Sequence, residues 1–253
     1  MKTKTIFPLL LVVAATVTQT QKTEPLILQG QIINSPEKEL YFFTDSVGKY
    51  KPDTLRLDNE GRFYLKTYNV INPQKVDIQN KRTQLNNIYV APGYNLTIIA
   101  DATDFPTTVK TARISGKGAE SNRYREVYLK EYIARKDSVD WYEITDKTKF
   151  LNYLETEKQL TDSLEKVVFG KVVGNDPYFS HFAEMTRLEN LFLHEYKKIA
   201  FTKLTGMNAG QARKFVEKQA DATLIKDINN EAYFVSENYK GWYVNEYLDY
   251  LLK

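Results

Sequence analysis

The hydrophobic period of the sequence changes within residues 112–132, which read ARISGKGAESNRYREVYLKEY. Up to Gly116, apolar and polar residues tend to alternate, as they do in strands with one buried face. Beyond it, Tyr124, Tyr128 and Tyr132 recur every four residues, which is the spacing of one face of an α-helix. The change of period predicts an α+β protein in which a β-rich half is followed by an α-helical half.

The first half contains short segments rich in β-branched and aromatic residues, separated by Gly, Pro, Asn and Asp at intervals typical of a β-sandwich. A break at Asp58–Gly61, where Gly61 can take a positive φ, predicts a hairpin between two of these segments. We assign an antiparallel β-sandwich domain to residues 22–116. Its predicted strands are Leu26–Ile33, Leu40–Thr44, Thr54–Leu57, Arg62–Tyr68, Val76–Gln79, Ile88–Val90, Leu96–Ala100 and Ala112–Ile114.

The second half shows apolar stripes at helical spacing, and we assign an α-helical domain to residues 117–253. Asp176-Pro177 predicts a helix start, because the aspartate can cap free amide groups and proline suits the first helical position. The predicted helices cover about 119–136, 147–168, 177–201, 210–220 and 231–252.

Residues 1–21 have the pattern of a secretory signal peptide, with basic Lys2 and Lys4 followed by the apolar run Ile6–Val17. A membrane anchor is the alternative interpretation, but the run is short for a bilayer and Pro8 interrupts its start. We therefore expect export to the periplasm of a Gram-negative type of bacterium. After cleavage the protein is expected to be soluble, with no insertion into the membrane.

Composition excludes several classes of function. The chain has no cysteine, so disulfide scaffolding, thiol redox chemistry and thiolate metal sites are all excluded. Its formal charge of +3 falls to about +1 when Lys2 and Lys4 leave with the signal peptide. A nearly neutral surface gives no argument for a nucleic-acid partner.

A search for catalytic chemistry yields no motif. The only histidines, His181 and His194, fall on one predicted helix, too far apart around it to share one metal ion. No Gly-x-Ser-x-Gly turn is present, and Ser115–Gly118 has the wrong spacing for a phosphate loop. We therefore predict no enzymatic activity, no catalytic residue, no cofactor and no metal. A hydrolase with an unfamiliar site remains an alternative.

Tyrosine is unusually abundant, with 18 residues in the chain. Because tyrosine combines apolar area with a hydrogen-bonding tip, clusters of it are typical of sugar-binding or protein-binding surfaces. Regular stripes such as Tyr124 and Tyr128 are more typical of semi-buried packing. A cluster close to the end of the chain is the candidate partner surface, and it consists of Tyr239, Trp242, Tyr243, Tyr247 and Tyr250.

Asp-Ser/Thr-apolar tripeptides match the pattern that some Gram-negative bacteria O-glycosylate on exported proteins. The candidate acceptors are Ser46, Thr54, Ser138 and Ser163. Capping of turns and helices by the aspartates is the alternative interpretation.

The order of elements, together with the stretches Asn87–Ile98 and Ile114–Asn122, resembles a known arrangement. It is similar to the N-terminal accessory region of exported TlpA/ResA-type thioredoxin-like disulfide reductases. There a DUF4369-like sandwich and a helical segment precede the redox domain. Those proteins continue into a thioredoxin fold with a Trp-Cys-x-x-Cys site, which has no counterpart in this cysteine-free chain. No catalytic residue of the family can therefore be carried over.

The resemblance implies a non-catalytic periplasmic accessory or docking module of a thioredoxin-like (TlpA-type) system. Its partner would be another protein, or a thioredoxin-like domain that these 253 residues do not contain. The alternative is a carbohydrate-binding or cell-envelope interaction protein that stacks exposed tyrosine and tryptophan on a glycan.

Overall fold

The computed structural model describes residues 24–44, 52–134, 140–170, 176–221, 224, 226–227, 229–236 and 238–245. It is an α+β protein, as the change of period predicts. The predicted signal peptide lies outside the described residues.

The β-rich half forms two four-stranded sheets. In the first sheet the order is β4 (Arg62–Thr67), β1 (Leu26–Ile33), β7 (Asn95–Asp101) and β8 (Arg113–Lys117). In the second sheet the order is β3 (Asp53–Arg56), β2 (Glu39–Phe43), β5 (Gln74–Asn80) and β6 (Thr83–Val90). Neighbouring strands are antiparallel except for β1 and β7, which run parallel. The predicted antiparallel sandwich therefore needs correction at this one pair.

Both sheets contribute to one hydrophobic core, as the two layers of a sandwich do. Leu28 and Leu96 enter it from the first sheet, and Phe42 and Ile78 enter it from the second. Helical residues that include Tyr124, Phe169 and Phe182 belong to the same core. The helices are therefore packed onto the sandwich, and the domain border between residues 116 and 117 stays a prediction.

The predicted hairpin at Asp58–Gly61 is wrong, although the turn itself is present. β3 pairs with β2 and β4 pairs with β1, so the turn carries the chain from one sheet to the other. Gly61 has a φ of +77°, and a Cβ there would lie 2.2 Å from the carbonyl oxygen of Ile32. The polar break in the sequence marks a reversal of the chain, but it does not identify which strands pair.

The helical half follows the predicted order. A 3-10 turn at Glu120–Asn122 leads into α2 (Arg123–Ala134), and α3 (Lys147–Phe169), α4 (Phe179–Leu204) and α5 (Ala209–Gln219) follow. The described part of the helix predicted over 231–252 is instead a 3-10 turn at Glu231–Val235 and a π-helix at Asn238–Tyr243, and residues 246–252 lie outside the described residues. A second core lies between these elements, and its largest members are Phe150, Phe192, Phe201, Phe215, Tyr239 and Tyr243.

One short helix was not predicted, namely α1 (Phe105–Thr111) between β7 and β8. Its threonine-rich sequence has a low helix propensity, which explains the omission. The Asp104 side chain accepts a 2.7 Å hydrogen bond from the Thr107 backbone N–H, and Pro106 lies in the first turn. Among the described residues, no helix is long and apolar enough to cross a membrane.

Candidate functional site

The stretches Asn87–Ile98 and Ile114–Asn122 meet at the junction between the sandwich and the start of α4. The carboxylate of Asp176 accepts hydrogen bonds from the Tyr94 hydroxyl at 2.8 and 2.7 Å and from the Ser121 hydroxyl at 2.7 Å. Tyr94 lies between β6 and β7, and Ser121 lies in the 3-10 turn before α2. A single carboxylate therefore joins three segments that are distant in sequence.

The prediction that Asp176 caps the third helix is wrong, because α4 begins at Phe179 and its N-cap, Tyr178, has no side-chain cap. The Oδ1 of Asp176 instead accepts a 3.0 Å hydrogen bond from the backbone N–H of Tyr178, just before the helix. Its other hydrogen bonds come from Tyr94 on the sandwich side of the junction and from Ser121 in the 3-10 turn. The same side chain thus bonds to the backbone before α4 and to two other segments.

Asn122 adds to the junction because its side chain bonds to the backbone of the edge strand β6. Its Oδ1 accepts from the Tyr89 backbone N–H, and its Nδ2 donates to the Tyr89 carbonyl, both at 2.9 Å. The guanidinium Nε of Arg125 donates to the carbonyl of Asn86 farther along the same strand. These side chains satisfy the exposed backbone groups of an edge strand as a neighbouring strand would.

A further junction contact joins Tyr89 to α4. The Tyr89 hydroxyl lies 2.9 Å from Nδ1 of His181 and 3.3 Å from the carbonyl of Tyr178. Burial lowers the pKa of His181 and raises the pKa of both Tyr89 and Tyr94. Both phenols are therefore neutral at pH 7 and serve as hydrogen-bonding groups, not as anionic nucleophiles.

A separate groove of about 210 Å³ runs between α3 and α4. Glu165 is half-buried in its wall, where its Oε1 accepts a 2.8 Å hydrogen bond from Nδ2 of Asn190. The same amide donates at 2.8 Å to the hydroxyl of Tyr124, while Nε of Arg187 lies 3.7 Å from Oε2 of Glu165. Small-molecule sites usually enclose about 300–1,000 Å³, so this groove suits only a small group.

Burial raises the pKa of Glu165, while the nearby Arg187 guanidinium opposes that shift. A half-buried carboxyl with a raised pKa can act as an acid or a base, but a raised pKa alone does not identify a catalytic site. Across the residues that the structure describes, no group of three or more His, Asp or Glu side chains is placed to hold a metal ion.

Replacement of Glu165 by glutamine is expected to stabilise the protein at neutral pH. The folded protein binds a proton at Glu165 more readily than the unfolded chain does, so ionisation costs stability as pH rises through the folded pKa. The amide keeps an acceptor for Asn190 and carries no charge. Urea denaturation at several pH values should show a stability gain in Glu165→Gln that grows above about pH 4.5.

The control for this prediction is Glu155→Gln, an exposed position on the same helix. It should leave the pH dependence of the wild-type protein unchanged. A Glu165→Gln variant that is less stable than wild type at pH 7 would contradict the burial argument and would indicate that the Arg187 contact dominates.

The candidate partner surface near the end of the chain is wrong for two of its members. Tyr239 and Tyr243 are only 3% and 1% exposed, and their ring centroids lie 4.9 and 5.0 Å from that of Phe192. Residues four apart on one helical turn share a face, and here that face packs on α4. The side chain of Trp242, together with Tyr247 and Tyr250, lies outside the described residues.

Of the candidate O-glycosylation positions, Thr54 on β3 and Ser163 on α3 are exposed. Ser46 and Ser138 lie outside the described residues. The motif aspartates have other contacts: Asp53 accepts from Thr67 and Asn69, and Asp162 pairs with Lys158. The structure therefore does not show these two aspartates capping a turn or a helix. Glycosylation stays a prediction.

Sequence reasoning singled out neither Asn122 nor Ser121 as important by itself. Both are fully buried, although their residue types are usually exposed. The only signal was that they end a stretch used for the resemblance, directly before the apolar stripe of α2. Residue spacing gave no indication that they face Tyr89 and Asp176.

No protein-family model, curated protein or solved structure matches the chain.

Proposed function

We propose that this protein is an exported, non-catalytic docking module of a thioredoxin-like system. In that role it binds and positions a partner protein or a thioredoxin-like domain. The observation that supports this proposal is the junction, where the stretches that resemble an accessory region form a buried hydrogen-bond network with α4.

A network of this kind suits a docking role because it fixes the sandwich relative to the helices. Asp176, Tyr94 and Ser121 tie the chain before α4 to two other segments. Asn122 and His181 add contacts to Tyr89 in the edge strand β6. A platform that is already rigid loses less conformational entropy when a partner binds, which strengthens binding.

The lack of cysteine and the state of the buried tyrosines also support a binding role. Without cysteine, the protein cannot exchange a disulfide with a substrate. The buried phenols of Tyr89 and Tyr94 are neutral at pH 7, and they bond to groups of the chain itself. Any thiol-disulfide chemistry in the system must therefore come from the partner.

The carbohydrate-binding alternative has lost much of its support. It depended on exposed aromatic rings near the end of the chain, and two of these, Tyr239 and Tyr243, are buried. We therefore do not propose it as a second function.

The proposal is tested by calorimetric titration of the chain, from residue 22 onward, with the Trp-Cys-x-x-Cys domains of exported thioredoxin-like proteins from the same bacterium. We expect binding of at least one domain with a Kd of about 1–10 μM, which is typical of a transient interface. Insulin reduction should require that domain, and the chain alone should give none.

Asp176→Ala and Asp162→Ala provide a matched pair for this titration. The first removes the junction acceptor, and the second removes an exposed carboxylate on α3. At a temperature where both variants are folded, only Asp176→Ala should weaken binding. Reduction of insulin by the chain alone, or no binding to any such domain at about 100 μM, would refute the proposal.

A further inference from the structure

On one side of the sandwich, side chains from the helical half bond to the edge strands, and we call this the closed side. The opposite side is the open side. On the closed side, Asn122 and Arg125 satisfy backbone groups of the edge strand β6. The carboxylate of Glu126 accepts a 2.7 Å hydrogen bond from the backbone N–H of Ile114 in the edge strand β8. On the open side, the edge strands are β4 and β3.

The hydrogen-bond pattern shows which residues of β4 face outward. The backbone N–H of Ile27 donates to Tyr94 on the β7 side of β1, whereas the N–H of Ile32 donates to Gly61 on the β4 side. Even-numbered residues of β1 therefore bond to β4, and their partners in β4 are odd-numbered. The β4 residues that direct their backbone groups away from β1 are Arg62, Tyr64 and Lys66.

Only two of these residues offer free backbone groups. The N–H of Arg62 donates to Oδ1 of Asp58 at 2.8 Å, and its carbonyl accepts from the Asp58 N–H at 3.0 Å. Within the described part of the chain, no group bonds the backbone N–H or C=O of Tyr64 or Lys66. An open pair of this kind is a template for another strand.

The side chains on this edge alternate between cation and aromatic ring. Arg62, Tyr64, Lys66 and Tyr68 are all exposed, and Tyr64 and Tyr68 are 62% and 54% exposed. Because residues two apart in a strand share a face, these side chains line one surface next to the open edge. Within the chain, Nζ of Lys66 already lies 5.9 Å from the ring centroid of Tyr68.

We propose that β4 pairs with the β4 strand of a second copy of this chain, antiparallel about a two-fold axis at Leu65. Tyr64 then faces Lys66 of the second copy, and Lys66 faces Tyr64 of the second copy. Both pairs exchange backbone hydrogen bonds. Each pair also joins a cation to an aromatic ring.

The alternation of cation and aromatic ring along β4 favours this register over the two registers next to it. A pairing of Tyr64 with Tyr64 would place Lys66 opposite Arg62, whose backbone groups are already bonded to Asp58. A pairing of Lys66 with Lys66 would place two lysines together. Like charges directly opposite each other destabilise a sheet. The strand is thus complementary to itself in one register, which is the property that a two-fold interface requires.

Sedimentation velocity over a range of concentrations tests the proposal with the chain from residue 22 onward. The wild-type protein should form a dimer whose fraction increases with concentration. Tyr64→Lys should raise the dimer Kd about tenfold or more, because two cation–ring contacts are replaced by two like-charge contacts. Adding Lys66→Glu to that variant should restore the dimer, since the introduced lysine then faces the introduced glutamate.

Ser163→Lys makes the same change of charge at an exposed position on α3 and should dimerise as wild type does. Circular dichroism confirms that each variant is folded. A wild-type protein that stays monomeric at about 1 mM would overturn the proposal. So would a dimer that Tyr64→Lys leaves unchanged, or a folded double variant that stays monomeric. This inference is independent of the proposed docking function.

Discussion

Asp176→Ala is expected to lower the free energy of unfolding by about 3 kcal/mol, because it leaves two buried hydroxyl groups without their acceptor. Tyr94 and Ser121 both donate to this carboxylate, and each is at most 1% exposed. Urea denaturation followed by circular dichroism measures the change. Asp162→Ala removes an exposed carboxylate of α3 and should change the stability by less than about 0.5 kcal/mol.

A direct hydrogen bond between the two remaining hydroxyls is the main compensation open to the variant. Tyr94 Oη and Ser121 Oγ lie 3.3 Å apart in the wild-type protein, so they can partly satisfy each other. Asp176→Ala with the stability of Asp162→Ala would show that this compensation is complete. The junction carboxylate would then contribute nothing to holding the halves together.

Asn122→Asp is expected to destabilise the protein by about 3 kcal/mol at pH 7, although the two side chains have nearly the same shape. The Asn122 amide donates to the Tyr89 carbonyl, and a carboxylate oxygen in its place would face that carbonyl without a proton. Burial raises the pKa of a carboxyl at such a position, so the folded variant gains a proton as pH falls. Protonation supplies a donor for Tyr89, and the deficit relative to wild type should shrink toward pH 4.

Asn152→Asp is the control, since Asn152 is exposed on α3. It should stay within about 0.5 kcal/mol of wild type at both pH values. An Asn122→Asp deficit that is equal at pH 7 and pH 4 would contradict the assigned donor role of the amide. Equal stability of Asn122→Asp and wild type at pH 7 would contradict the edge-closing role itself.

The sequence predicts elements well wherever a local pattern determines them. β1 and α3 begin where the residue pattern places them, because alternation and helical spacing are local properties. β6 begins at Thr83, ahead of its predicted start at Ile88, because its N-terminal residues are polar and read as a turn. In the structure Thr83 is fully buried, where its hydroxyl donates to Glu37.

Long-range pairing was not predictable in the same way. The Asp58–Gly61 turn looks like a hairpin in sequence, yet it connects two sheets, because strand partners are chosen by packing across the sandwich. The aromatic residues near the end of the chain likewise looked like a surface, since tyrosine suits both burial and exposure. Their position against Phe192 follows from the packing of the whole helical half.

The junction was not predicted. Tyr94 and Ser121 lie in the two stretches on which the resemblance depends, but no residue pattern indicated that their side chains meet. In the sequence, Asp176 reads as an ordinary helix cap next to a proline. In the structure its carboxylate accepts from the Tyr178 backbone N–H and from two buried hydroxyls, which only the packing of the three segments brings together.

The junction joins the sandwich and the helices into one unit. Native-state hydrogen exchange measured by mass spectrometry can test this, by comparing peptides from β6 with peptides from the first turns of α4. We expect both regions to open in one cooperative step with the same free energy, and Asp176→Ala to lower the opening free energy of both together. Exchange of the α4 peptides through a separate opening of much lower free energy, while β6 stays protected, would contradict it.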